Sequence, residues 1–286
     1  MSQILLQVLN SLAFGGLLFV LSAGFSLIFG LMRIPNLAHG AMFMLGTYLA
    51  LGVLQLGGNF WLAVLVAGLV VALAGVVIER WLLRHLAGNE NAQVLATIGI
   101  AFELADAVLW IWGGDPHPLR APDALRRSVE IGGIIFPLYR LAVIALAVVA
   151  ALLLWLFIDK TRIGAMLRAS VDDPQMARGV GVPVFWLFTV SFGLGAGLAG
   201  MGGALAGPIL SAYPGLDHDM LPLALVVVVL GGVGSLLGAF VGSIMIGFLY
   251  IMGQDFLPSL SYVIVFIPMV IVLALRPSGL FGRVAA

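Results

Sequence analysis

The sequence predicts an all-α fold, a polytopic transmembrane helical bundle of about 8–9 membrane segments with two interrupted helices. Three observations carry this. Of the 286 residues, 62% are hydrophobic and only 9% charged, with a mean hydropathy of +1.18. A soluble domain of that composition could not cover its surface with polar groups. Apolar runs near membrane-spanning length recur from end to end. The runs are also continuously apolar, whereas the strands of a membrane β-barrel alternate.

Taken in order, apolar segments fall at about 4–31, 38–56, 60–79, 92–112, 138–158, 184–212, 220–252 and 259–275. The first has no preceding basic region and no small-residue cleavage signal, so it is expected to be a retained helix rather than a signal peptide. Three charged intervals, 79–91, 113–137 and 159–183, read as water-side loops. Basic residues place 79–91 (Arg80, Arg84), 159–183 (Lys160, Arg162, Arg168, Arg178) and the C-terminus (Arg276, Arg283) on the cytoplasmic side. Interval 113–137 then lies outside, although its Arg120, Arg126 and Arg127 weaken the bias. With 184–212 running outward and Arg276 inside, 220–275 must cross an odd number of times. Breaking 220–252 at Gly231, Gly232 and Gly234 gives three crossings. Pro35, with Asn36 and Gly40, interrupts the first long run in the same way. Interrupted helices in two halves point to a pathway in repeat-built transporters, and irregular backbone at membrane depth is tolerated only against protein or water.

Several function classes drop out. Thirteen basic and thirteen acidic residues balance, so no basic face for nucleic acid is expected. There is no cysteine for a thiol nucleophile or an iron–sulfur cluster. The single lysine, Lys160, follows Asp159, so the GK[ST] step of a phosphate loop is missing. Glycines four apart (Gly193/Gly197, Gly203/Gly207, Gly234/Gly238, Gly238/Gly242) read as close helix packing.

Polar residues at membrane depth are the candidate path. Glu103 and Asp106, three apart on one helix face, are expected to face the bundle interior or a cavity as gating groups, or else to make a structural hydrogen bond to a neighbouring helix or lie near the outer interface. Asn36 and His39 sit on the first break, either to hold its backbone or to line the path. No clustered partner makes His39 a metal ligand, and no metal site is expected. Asp217, His218 and Asp219 read as a solvated outer loop. Within 159–183, Asp172 or Asp173 can cap a helix opened by Pro174 and closed by Gly179 or Gly181. A short capped helix outside the membrane is a means of touching another protein.

Four blocks then carry a resemblance over nearly the whole chain. They are GLMRIPNLAHGAMFMLGTYLA (30–50), the basic stretch leading into Thr97-Ile98-Gly99-Ile100, TRIGAMLRASVDDPQMARGVGV (161–182), and VVVVLGGVGSLLGAFVGSIMIG (226–247) followed by RPSGLFGR (276–283). In this order and spacing the chain resembles the LivH-type inner-membrane permeases of branched-chain amino acid ABC importers. The resemblance implies one permease domain over 1–286, with two loosely repeated halves (about 1–115 and 138–286) and a cytoplasmic coupling loop at 159–183. It implies Asn36, His39 and Gly40 as path-lining positions. It also implies Gly164, Arg168, Ala169, Asp173, Ala177 and Gly181 as the motif that couples to an ATPase. Thr47 stands where the family more often has a small residue before tyrosine.

The implied partners are a second related permease, two P-loop ATPases, a periplasmic or extracellular solute-binding protein and membrane lipid. The chain itself would bind no cofactor; ATP would be used by the partner subunits. The implied place is the inner or plasma membrane of a bacterium or archaeon. Related permeases serve leucine, isoleucine and valine, other amino acids, short amides or urea. An ion-coupled carrier or channel would instead use Glu103 and Asp106 as its site and would leave the capped loop without a purpose. A membrane enzyme finds no nucleophile or phosphate loop.

Overall fold

The computed structural model describes residues 2–32 and 35–282. Arg33, Ile34 and Arg283 lie outside the described residues, so the charge argument from Arg283 stops there. The helices are α1 (Ser2–Met32), α2 (His39–Gln55), α3 (Phe60–Trp81), α4 (Glu90–Trp112), α5 (Leu138–Lys160), α6 (Arg162–Asp172), α7 (Pro174–Gly179), α8 (Val184–Leu210), α9 (Leu216–Gly231), α10 (Leu236–Phe256) and α11 (Ser261–Leu275). Among the described residues, seven helical stretches are long and apolar enough to cross a membrane. The all-α expectation holds but for one hairpin, β1 (Ser128–Ile131) paired antiparallel with β2 (Ile134–Pro137) inside the 113–137 interval. Gly132 and Gly133, with φ of +57° and +79°, supply the left-handed two-residue turn that the hairpin twist needs.

The apolar run 220–252 is two helices. It stops at Gly231 and restarts at Leu236, with Gly232 and Gly234 at φ +101° and +76° between them. Ser235 caps α10 by accepting from the Gly238 amide at 3.0 Å. Gly231 and Gly238 pack backbone to backbone, and the tail closes over the turn, with the Leu280 and Phe281 amides donating to the Leu230 and Gly231 carbonyls at 2.9 and 3.0 Å.

α1 and α8 form the axis of the bundle. α1 runs antiparallel to α10: Phe14 stacks on Tyr250 at 4.9 Å, Phe19 meets Phe240 edge-on at 5.2 Å, and Gly30 abuts Gly234. α3 runs antiparallel to α8 in the same way, Gly68 meeting Met201 and Gly75 meeting Phe192. α8 turns glycines to three neighbours. Gly193, Gly197 and Gly200 face α3, Gly195 meets Gly24 of α1, and Gly203 lies under the Phe43 carbonyl of α2. In a membrane, where apolar helices gain little by leaving lipid, such backbone approach is what makes van der Waals contact large.

The bundle has two distinct ends. One carries α6 and α7, the start of α8 and the tail at 276–282, and gathers Arg84, Arg178 and the basic residues around them. At the other, the hairpin end, Gly132 touches Leu5, and His117 and Ala212 exchange amide hydrogen bonds of 2.7 and 2.9 Å.

Candidate functional site

The first break is a buried polar knot. Asn36 and His39 are 2% and 0% exposed. The Asn36 side-chain oxygen accepts from the Ala38 amide at 3.1 Å, a local turn that replaces missing helical bonds. His39 Nε2 lies 3.0 Å from the Leu21 carbonyl; a carbonyl only accepts, so Nε2 carries the proton. The ring also tilts against Phe25 at 5.3 Å. α4 braces the knot from outside, with the Thr97 hydroxyl accepting from the Leu37 amide at 3.3 Å and Gln93 donating to the Leu83 carbonyl at 3.0 Å. Asn36, Gln93 and Thr97 line a void of about 10 Å³, the scale of one water.

Gly40 has a different task. A Cβ there would meet the Asp217 carbonyl oxygen at 2.7 Å and Leu221 at 2.8 Å, so only glycine lets the first turns of α2 and α9 cross. Both helices are short, at 17 and 16 residues, so each spans about 25 Å at 1.5 Å per residue. Their N-termini therefore lie side by side within the bundle. The run Asp217-His218-Asp219 is consequently no solvated loop: it is the first turn of α9, where carboxylates suit the helix dipole. Asp217 is buried at 4%, His218 is exposed, and Asp219 accepts from the Tyr213 hydroxyl at 2.6 Å.

Glu103 and Asp106 depart from expectation. The buried face of α4 is Gln93, Thr97 and Val108, and both acids lie rotated away from it, exposed on the outer face with Leu95, Phe102 and Trp110. Neither enters the interior of this chain's bundle.

The 159–183 loop folds as a cap-and-hinge unit. Thr161 caps α6 by accepting from the Gly164 amide at 3.1 Å. A Cβ on Gly164 would strike the carbonyls of Phe157 and Ile158, so glycine lets α6 fold back over the end of α5. Arg168 fastens that fold, donating to the Ile158 carbonyl and pairing with Asp159 at 3.2 Å. Asp173, with Pro174 at the first helical position, caps α7 by accepting from the Gln175 and Met176 amides, each at 2.9 Å. α7 then ends in a left-handed Gly181 (φ +88°). The Gly181 amide donates to the Arg178 carbonyl at 3.0 Å and the Val182 amide to the Ala177 carbonyl at 2.9 Å, a Schellman closure. The motif residues thus divide. Gly164, Arg168, Asp173, Ala177 and Gly181 build the unit, and Ala169 is exposed on it. Sequence reading missed the two apolar residues most exposed on α7 and its closing turn, Met176 at 66% and Val180 at 73%. It also missed Phe185, whose ring receives the guanidinium groups of Arg84 and Arg178 at 4.8 and 4.6 Å, and Glu79, buried and accepting from the Thr189 hydroxyl at 2.5 Å.

A cavity of about 380 Å³, in the usual range for small-ligand sites, opens at the hairpin end between α1, α5, α8, α9 and α10. Of its polar lining, Asn10, Arg140 and Asp255 were not singled out in the sequence, where they are scattered, and Asp219 was read there as part of a solvated outer loop.

The model of the family described as "Branched-chain amino acid transport system / permease component" matches residues 7–273. The chain is 28% identical to the high-affinity branched-chain amino acid transport system permease protein BraD of Pseudomonas aeruginosa, across 97% of this chain and 95% of the relative. It is likewise 28% identical to LivH of Escherichia coli, with the same coverage. A probable LivH of Methanocaldococcus jannaschii is 26% identical over 83% of this chain and 77% of its own. No solved structure matches. With these bacterial and archaeal relatives and seven apolar helical stretches of membrane length, the chain is a multi-pass protein of the plasma membrane. It belongs to the branched-chain amino acid transport permease family.

Proposed function

We propose that the chain is the membrane-spanning permease subunit of an ATP-driven importer for branched-chain amino acids. Likeness to BraD and LivH along 97% of the chain carries this reading. In it the partners are a second related permease, two ATPases that hydrolyse the ATP, and an external solute-binding protein. The chain, with no GK[ST] step at its only lysine, contributes the path and the coupling surface rather than catalysis.

The α6–α7 unit suits the coupling role because its caps and its Schellman turn hold an apolar tip, Met176 and Val180, outside the bundle. Hydrogen-bonded to the end of α5 through Arg168, it passes a push at the tip to α5 and, through the Leu167–Leu187 contact, to α8. The end bearing α6 and α7 is then cytoplasmic. The order of contacts favours nine crossings: the seven longer helical stretches together with the short α2 and α9. The chain would start outside and end inside. Reciprocal packing supports two repeated halves within one permease domain: α1 lies on α10 as α8 lies on α3, and α2 precedes α3 as α9 precedes α10. The exposed Glu103 and Asp106 would then be covered by the second permease, and the knot at Asn36, His39 and Gly40 would hold the half-helix α2 beside the path.

The test is leucine uptake into vesicles carrying the affinity-purified assembly. ATP-dependent uptake that vanishes without the co-purifying ATPases is expected. Uptake that persists without them, driven by an ion gradient, would overturn the reading.

A further inference from the structure

The cavity at the hairpin end holds charges of both signs against an apolar wall. Arg140 is half-buried, donates to Asn10 and forms no ion pair among the described residues. Asp219 and Asp255 line the same cavity and also lie beyond ion-pair distance of any cation there. One cationic and two anionic side chains are thus held around a common space without neutralising one another. Phe14, Met220 and Ile251 supply the wall. Tyr213, between α8 and α9, fixes Asp219 through its hydroxyl; burial, and then that hydrogen bond, push the hydroxyl above the usual tyrosine range, so it stays a donor.

We propose that this cavity is a binding site for a free zwitterionic amino acid with an apolar side chain, at the mouth of the permease. The α-carboxylate lies on the Arg140 guanidinium, whose planar fork matches it. The α-ammonium lies between Asp219 and Asp255. The alkyl chain lies on Phe14, Met220 and Ile251. Other ligand classes fit worse. A simple anion would face two carboxylates, a simple cation would face Arg140, and a neutral apolar molecule would leave the partly buried Arg140 and Asp219 uncompensated; Asp255 is exposed. A zwitterion supplies one counter-charge of each sign at once. The site is at the end opposite α6 and α7, where a solute released from outside would arrive. The inference rests on the reading of the chain as an amino-acid permease and adds to it a residue-level solute site.

The experiment titrates the full-length chain, in lipid nanodiscs, with L-leucine, L-leucinamide and 4-methylpentanoate. Leucinamide lacks the carboxylate and 4-methylpentanoate lacks the ammonium. Saturable leucine binding is expected, roughly tenfold or more tighter than either analogue. Arg140→Gln should erase leucine's advantage over leucinamide by weakening leucine, while leucinamide, a cation that faced Arg140, binds no more weakly than before. Asp219→Asn, which still accepts from Tyr213, should narrow the advantage over 4-methylpentanoate. Absence of saturable leucine binding by a chain with normal thermal unfolding would overturn the proposal, as would an Arg140→Gln variant that weakens leucine and leucinamide alike. Leucine uptake by cells with the intact assembly separates the two readings. Uptake without nanodisc binding removes the cavity site and keeps the importer. Binding without uptake keeps the cavity site and removes leucine as the importer's solute.

Discussion

Asp173→Ala removes the side-chain acceptor that holds the first turn of α7. One carboxylate oxygen takes two backbone amides, those of Gln175 and Met176, at 2.9 Å each. Loss of such a cap costs about 0.5–2 kcal/mol. A six-residue helix has no stability of its own to absorb that loss. The open population of α7 should therefore rise by a factor of about 2 to 30. Hydrogen exchange reads this at the amides of Ala177, Val180 and Val182. Their bonds to Asp173, Met176 and Ala177 carbonyls survive the substitution chemically and are lost only when the turn opens. If the apolar tip must be ordered to receive force, leucine uptake per ATP hydrolysed should fall several-fold in the same variant. Asp173→Asn keeps an oxygen in place and should behave like the native chain in both assays. Native exchange and native coupling in Asp173→Ala would refute the reasoning. An Asn variant as defective as the Ala variant would show that the charge, not the cap, is what matters.

Gly203→Ala should cost about 1–3 kcal/mol, since its Cβ would overlap the Phe43 carbonyl, whereas Gly99→Ala, with open space around it, should leave the unfolding midpoint in detergent unchanged. Thr47→Val keeps the volume but removes the hydroxyl's 2.9 Å bond to the Gly203 carbonyl; a loss of about 0.6 kcal/mol is expected in the same melt. Arg168→Glu sets a carboxylate against Asp159 and frees the α5 carbonyl end, so ATP hydrolysis should continue while uptake is lost, with partial rescue by Lys. The folded-state pKa of Tyr213 is raised, by burial first. Its contribution to stability is thus complete below about pH 10, the unfolded value, and lost as pH rises through the raised folded value. An ultraviolet titration of native chain minus Tyr213→Phe should show ionisation later than that of free tyrosine.

The elements that could be read directly were those marked by punctuation. Pro35 and the Gly231–Ser235 segment break helices whatever surrounds them, and charge parity located the second break. Asp173-Pro174 and Gly181 specified α7 because caps are local chemistry. What failed depended on rotation about a helix axis. In a chain apolar on nearly every face, the pattern does not say which side of α4 meets the bundle. Glu103 and Asp106 were accordingly expected inside and lie outside. The same holds for Asp217, where a polar run resembled a loop but is held inside by Gly40 of a distant helix. The break after α8 was marked by Pro214 and Gly215, but it was drawn through 219, so the first turn of α9 was read as loop. The cavity charges come from three separate helices, and only the tertiary fold brings them together.

The burial of α1 has a consequence for biosynthesis. It leaves the ribosome ahead of the other described helices, and the greater part of its membrane-spanning window is enclosed by them. Those helices are chiefly α8 and α10, neither of which exists until more than 150 residues later. At about 5–20 residues per second, α1 waits roughly ten seconds or more for the surfaces that will enclose it. Until then lipid or the insertion machinery must cover Gly15, Gly24 and Gly30, whose eventual contacts are Ser243, Gly195 and Gly234. A nascent chain halted after α7 would hold α1 to α7 with the α8 and α10 faces of α1 still unclothed, and that intermediate is where quality-control proteases would find it.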